Sequence, residues 1–236
     1  MTLGQLLIVI VFVGFLAGLL IPVTGRGPRP NPIRVQMEMA DIEKAIVAYK
    51  ANYSVLPMSA EAQRNTRSDF TFGTTGLKPQ LSVSITNAGD GYQASNAEVM
   101  AILMARDKTT YNPQHIHNPQ KKEFLNPKIA VADGERGLGP QDGVYRDPWG
   151  NPYIISMDRN DDGWTQDTFY SLSKVSQVEL GKTNGFNRLR SLSGTGASDY
   201  SFRGPVMIWS FGPDGRADPE QRADEGVNAD NILSWK

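Results

Sequence analysis

Cysteine is absent from the 236 residues, which excludes disulfides, a thiolate nucleophile and cysteine-ligated zinc. Bracing of any secreted domain must then come from packing or from a metal held by oxygen. Histidine occurs only as His115 and His117, and this removes most triads, zinc helices and histidine-base mechanisms. The two sit in YNPQHIHNPQ and read as a surface loop rather than a metal site. G-x-S-x-G, a P-loop and H-E-x-x-H are also missing, while Gly194, Thr195 and Gly196 lack the spacing of a nucleotide-binding turn. No catalytic residue is expected, and the chain does not read as an enzyme.

Charge is scarce in two ways. Lys and Arg number 24 against 25 Asp and Glu, for a net charge of -1. The basic residues form no long run, so nucleic acid is not an expected partner. Within the first 25 residues no side chain is charged at all, and residues 6–23 hold fourteen Leu, Ile, Val or Phe among eighteen positions. Those fourteen contribute roughly -4 to -8 kcal/mol to insertion, ample for a membrane helix. A cleavable signal peptide does not fit, because the apolar run begins almost at Met1 with no basic region before it. Arg26, Arg29 and Arg34 follow the run and alone would hold the remainder in the cytoplasm. Removal of a basic leader reverses that orientation, and Met1 therefore reads as a mature N-terminus.

Gly14, Gly18 and Pro22 recur every fourth residue in the apolar run, a GxxxG pattern with a helix-weakening proline one turn later. It suits either a simple anchor or a helix that packs closely against its own copies. Residues 25–32, GRGPRPNP, form a linker. From Ile33 a new pattern begins: Val35, Met39, Ile42, Ile46, Tyr49, Tyr53 and Leu56 recur at four and three, with Arg34, Glu38, Asp41, Lys44 and Lys50 off the stripe. An amphipathic helix is predicted over 33–56, ending near Pro57, with the stripe as core. A second helix is predicted over 95–106, opened by a capping box between Ser95 and Glu98. The apolar runs at 153–157 and 206–211 read as strands. Residues 113–138 and 181–204 read as long surface loops.

Asp158, Asn160, Asp162 and Gly163 match the opening of a D-x-N-x-D-G calcium loop, in which oxygens at alternate positions converge on a hard cation. The twelfth position is Phe169 in place of the usual glutamate. The competing reading is an Asx-rich hairpin turn after the strand at 153–157.

Three separated stretches carry a family resemblance. MTLGQLLIVIVFVGFLAGLLIPV resembles the mature start of type IV pilins and pseudopilins, YKANYSVLP at 49–57 is similar to the end of the first helix in major pseudopilins of type II secretion, and DPWGNPY at 147–153 is similar to the signature before their sheet. The stretch from Ser210 through Asp214, Gly215 and Asp230 to Trp235 resembles their calcium-binding end. Gln5 stands where the family usually has an acidic residue that pairs with a neighbouring N-terminal amine.

The resemblance implies an α+β fold: a long N-terminal helix, its apolar half interrupted between Gly14 and Pro32 and followed by an amphipathic half, packed on a small antiparallel sheet with long loops. The expected organisation is a transmembrane and filament-core helix at 1–24, a linker at 25–32 and a pilin-like head at 33–236. The head divides into the amphipathic helix at 33–56, loops and a second helix at 57–140, and the sheet with its calcium loops at 141–236. It further implies a homopolymer assembled through Met1, Gln5, Gly14, Gly18 and Pro22, resident in the bacterial inner membrane as a precursor and then in an extracellular or periplasmic filament. A leader peptidase that also methylates the N-terminus, an assembly ATPase and a platform protein are the implied partners. Calcium is the implied cofactor, with Asp214 and Asp230 its leading ligands in the acidic C-terminal tract and Asp158, Asn160 and Asp162 a second candidate set. The alternatives are a minor or tip pseudopilin, and a membrane-tethered module that never polymerises.

Overall fold

The computed structural model describes residues 4, 31–64, 69–75, 94–194 and 196–236. Met1, Gln5, Gly14, Gly18 and Pro22 lie outside them, as does the apolar helix expected over 1–24 save for Gly4. Among the described residues no helix is long and apolar enough to cross a membrane.

Helix α1, Pro32–Tyr53, begins at the last residue of the expected linker. Asn31 is extended and its side chain accepts the Ile33 N–H at 3.0 Å, while Pro32 occupies the first turn, where a missing N–H costs nothing. Ser54 ends the helix in a left-handed conformation, φ 59°, with its N–H on the Lys50 carbonyl, so α1 stops a turn before Pro57. Its buried face is Val35, Met39, Ile42, Ala45, Ile46 and Tyr49, and Leu56 is buried just beyond it. At about 1.5–3 kcal/mol per fully buried large apolar side chain, this face holds α1 far more strongly than helix propensity could.

Helix α2, Ala60–Gln63, is capped by Ser59. Helix α3, Ala97–Leu103, is shorter than the predicted 95–106. The capping box expected there does not form: Ser95 Oγ accepts the Ala97 N–H, but Glu98 turns away and accepts the Ser59 N–H at 2.6 Å. All of α3 is buried, so the Glu98 carboxylate must find a donor inside the protein, and the α2 entrance supplies one.

The main sheet is antiparallel in the order β1-β4-β7-β8, with β1 at Phe70–Phe72, β4 at Ile154–Met157, β7 at Val206–Ser210 and β8 at Ile232–Leu233. Both expected strands are present. Along β4 and β7 the side chains alternate between two cores. Ile155, Met157, Val206 and Ile208 share one with α1 and α3. Ile154, Met207 and Trp209 share the other with Phe169, Tyr170, Tyr200 and Trp235. The fold is therefore helix and small antiparallel sheet, with a third layer of C-terminal chain over the second face of the sheet.

The stretch at 181–204 lies largely at the surface, as expected, but touches that layer at a few points. Strand β5, Arg190–Ser191, pairs with β6, Tyr200–Ser201, and Leu189 and Tyr200 are buried beneath it. Most of the stretch is exposed or half-buried, and Leu189 and Tyr200 are its contribution to the second core. The short ladder β2, Gly137–Leu138, with β3, Tyr145–Arg146, stands apart. The 113–138 stretch is irregular for most of its length, yet buried Asn118 donates to Ile102 O and Lys122 O and accepts the Tyr53 hydroxyl at 2.6 Å. The segment is thereby fastened along the end of α1.

Candidate functional site

The DPWGNPY segment is a turn that joins three elements. Asp147, fully buried, accepts the N–H groups of Trp149 and Asn151 at 2.9 Å each through Oδ1 and the Ser210 hydroxyl at 2.6 Å through Oδ2. Pro148 occupies the second position of the turn and Gly150 has φ +84°, as a turn with Asp leading and glycine last favours. Three residues after Gly150, Tyr153 OH donates to Glu38 Oε2 of α1 at 2.6 Å. The signature thus ties the start of β4 to the end of β7 and to the helix.

Asn96 performs a related task that no motif in the sequence signals. Its Nδ2 donates to Tyr145 O and Tyr153 O and its Oδ1 accepts the Tyr145 N–H, all at 2.8–2.9 Å and fully buried. Its partners lie 49 and 57 residues further along the chain, beyond the reach of any local pattern.

Burial outweighs the three donors on Asp147 and pushes its pKa up to about 6. Because the folded value exceeds the unfolded one, Asp147 stabilises the fold fully below pH about 4, and that contribution is lost as pH rises through about 6. The expected result is a wild-type thermal midpoint that declines between pH 4 and 6 relative to Asp147→Asn. Parallel melts of the two proteins, in which the other groups cancel, read it.

The two candidate cation loops lie at opposite ends of the β4–β7 pair, since Ile154 faces Trp209 and Met157 faces Val206. At the first, Asp158 Oδ2 accepts the Gly163 N–H at 2.9 Å, while Oδ1 is buried and has no hydrogen-bond partner. Asn160 Nδ2 donates to Asp162 Oδ2 and Trp164 N–H to Asp162 Oδ1, each at 2.8 Å. Asp161, at φ +60°, pairs with Lys50. The structure adds one residue that sequence spacing could not supply: Asp69, 7 % exposed, accepts the N–H groups of Arg159 and Gln166 at 3.1 and 2.7 Å. Desolvation, with Asp158 and Asp162 nearby, pushes its pKa up to about 6.

At the second, Asp214 and Asp230 do come together, Asp214 N–H donating to Asp230 Oδ2 at 3.2 Å. The other Asp230 oxygen is buried without a partner, as are both side-chain polar atoms of Asn151, packed against Gly215. Gly212 has φ +68°, and a β-carbon there would lie 2.2 Å from the Asp230 carbonyl oxygen. The remaining acids of the tract are engaged elsewhere: Glu220 with Lys174, Asp224 and Glu225 with Arg222, and Asp218 with Gln221.

His115 Nε2 lies 3.6 Å from Asp107, and the His117 carbonyl accepts the Tyr49 hydroxyl. Among the described residues no three histidine or acid side chains are grouped closely enough to hold a metal by themselves. Any cation at either loop must therefore draw on amide and backbone oxygens as well as carboxylates. No protein-family model, curated protein or solved structure matches the chain.

Proposed function

We propose that the chain is a structural subunit of a type IV pilus-like filament, a pilin or pseudopilin that polymerises through its N-terminal helix, with no enzymatic role of its own. The observation that carries this reading is a second apolar stripe on α1, opposite its buried face. Ile33 and Met37 are each 63 % exposed and Val47 is 45 % exposed; with Ala40 and Ala51 they lie along one side, interrupted between Ala40 and Val47 by the exposed Lys44. The stripe begins eight residues after the charge-free run of residues 1–25, beyond the Arg-, Gly- and Pro-rich stretch 26–32. A helix apolar on both sides is suited to burial on both sides, once in its own head and once against a neighbour.

In this reading residues 1–24 form the apolar half of one long helix, resident first in the bacterial inner membrane and then in the core of a helical array of like subunits. Close packing at Gly14 and Gly18 favours the polymer over lipid, and the break at Pro22 and residues 25–31 lets each head seat on its neighbours. A head-to-tail contact that does not close gives a filament. Gln5 accepts a hydrogen bond from the neighbouring N-terminal amine where an acid would form an ion pair. Calcium at Asp214 and Asp230 braces the disulfide-free head. A leader peptidase with methyltransferase activity, an assembly ATPase and a platform protein supply the machinery.

Mass spectrometry of the N-terminal peptide, from membranes and from sheared surface material, tests the processing this requires. The expected peptide begins at a methylated Met1 and is found in both fractions. An unmodified initiator Met1 confined to the membrane fraction contradicts it and leaves a tethered, non-polymerising module.

A further inference from the structure

Asp158 is 3 % exposed, yet its Oδ1 has no hydrogen-bond partner. A buried carboxylate oxygen left in this state is costly unless something cationic meets it. Its other oxygen is fixed by the Gly163 N–H at 2.9 Å, so Oδ1 cannot simply turn away. In a twelve-position calcium loop the oxygens come from positions one, three, five and seven, with glycine at six and a closing carboxylate at twelve. Counting from Asp158, these are Asp158, Asn160, Asp162, the Trp164 carbonyl and Gly163, and the twelfth is Phe169, which carries no oxygen in its side chain.

Asp69 stands where that deficit can be met. It lies just before β1, beside β4, and grips the loop from both sides through the Arg159 and Gln166 N–H groups. Each of its oxygens keeps a lone pair after accepting one hydrogen bond. Of the nearby cations, Lys50 pairs with Asp161 and acts on Asp158 through its charge, while Arg159 donates to Gln63 O at 2.7 Å. We propose that Asp158, Asn160, Asp162 and the Trp164 carbonyl hold a calcium ion, and that Asp69 replaces the absent twelfth-position carboxylate. The site fastens the hairpin after β4 to the edge strand β1. It concerns the head alone and does not depend on the filament reading or on the C-terminal cluster.

Trp164 lies within the loop and makes terbium a direct probe. Full chain in detergent, stripped with chelator, is titrated with terbium while indole is excited, and the bound terbium is then competed with calcium or magnesium. The expected result is sensitised emission displaced by calcium at least about tenfold more readily than by magnesium, as a flexible, many-oxygen loop requires. Asp158→Asn and Asp69→Asn are each expected to weaken binding by at least about tenfold. Trp164→Phe keeps calcium affinity, read by calorimetry, and loses most of the emission. Exposed Asn160→Ala weakens binding without altering the metal-free circular dichroism, which covers the case in which either aspartate variant fails to fold. Emission that survives Asp158→Asn and Asn160→Ala but disappears in Asp230→Asn assigns the metal to the C-terminal loop and overturns the proposal. So does equal displacement by magnesium, or the absence of binding.

Discussion

Asp167→Ala is expected to destabilise the head by about 3–5 kcal/mol, the largest effect of any single polar substitution. Asp167 is fully buried in the second core. Its Oδ1 accepts the N–H groups of Phe169 and Tyr170, and its Oδ2 accepts the Ser156 hydroxyl at 2.7 Å and Trp209 Nε1 at 3.2 Å. Alanine leaves all four donors in an apolar layer, at about 1–3 kcal/mol for each one stranded. The sum is discounted because Ser156 can turn to Thr71, whose Oγ1 is 2.8 Å away. Asp167→Asn is the informative companion. Burial raises the Asp167 pKa, so the site already disfavours a charge, and an amide that keeps one acceptor costs less, about 1–2 kcal/mol. Urea unfolding of the full chain in detergent, followed by tryptophan fluorescence, separates the two. An alanine variant within about 1 kcal/mol of wild type would mean that the Asp167 network does not hold the C-terminal layer onto the sheet.

Replacing Ile33 and Met37 together by aspartate is expected to cut sheared filament by at least about tenfold while moving head stability by no more than about 0.5 kcal/mol. Both side chains are 63 % exposed and make no part of either core. Both also lie near the start of α1, where a negative charge is mildly favourable to the helix. Little is lost in the isolated subunit. Against a neighbouring apolar surface, two carboxylates must be desolvated without partners, a cost of several kcal/mol. The paired readout matters because wild-type filament yield from this double variant removes the stripe from the proposed assembly surface, whereas loss of yield with an unfolded head says nothing about it.

What could be read from the sequence follows the periodicity of the physics. The spacing of Val35, Met39, Ile42, Ile46 and Tyr49 gives the buried face of α1 because a 3.6-residue repeat is local. The apolar runs at 153–157 and 206–211 are strands for the same reason. Their alternation into two cores was equally present in Ile154 against Ile155 and Met207 against Ile208, but a short run that is apolar on both sides does not say what covers its second face. Residues 181–204 cover it in part, and their Gly and Ser content hid that, since turn composition looks alike over solvent and over a core. The Ser95–Glu98 box misled because its motif is local while Glu98 answers a distant need at Ser59. The same limit applies to the sites. Spacing brings out Asp158, Asn160 and Asp162 within one loop, and Asp214 with Asp230 through resemblance. Asp69 and Asn151 reach those loops only by way of the fold.

The central claim is that copies of this chain pack their N-terminal helices into a filament. Cryo-electron microscopy of sheared material from cells producing the chain tests it most directly. The account expects helical filaments with residues 6–23 in a continuous apolar core, the stripe of Ile33, Met37 and Val47 against a neighbouring subunit, and Gln5 close to a neighbour's N-terminus. Material that contains only membrane-bound single subunits, or filaments whose core excludes residues 6–23, would contradict it.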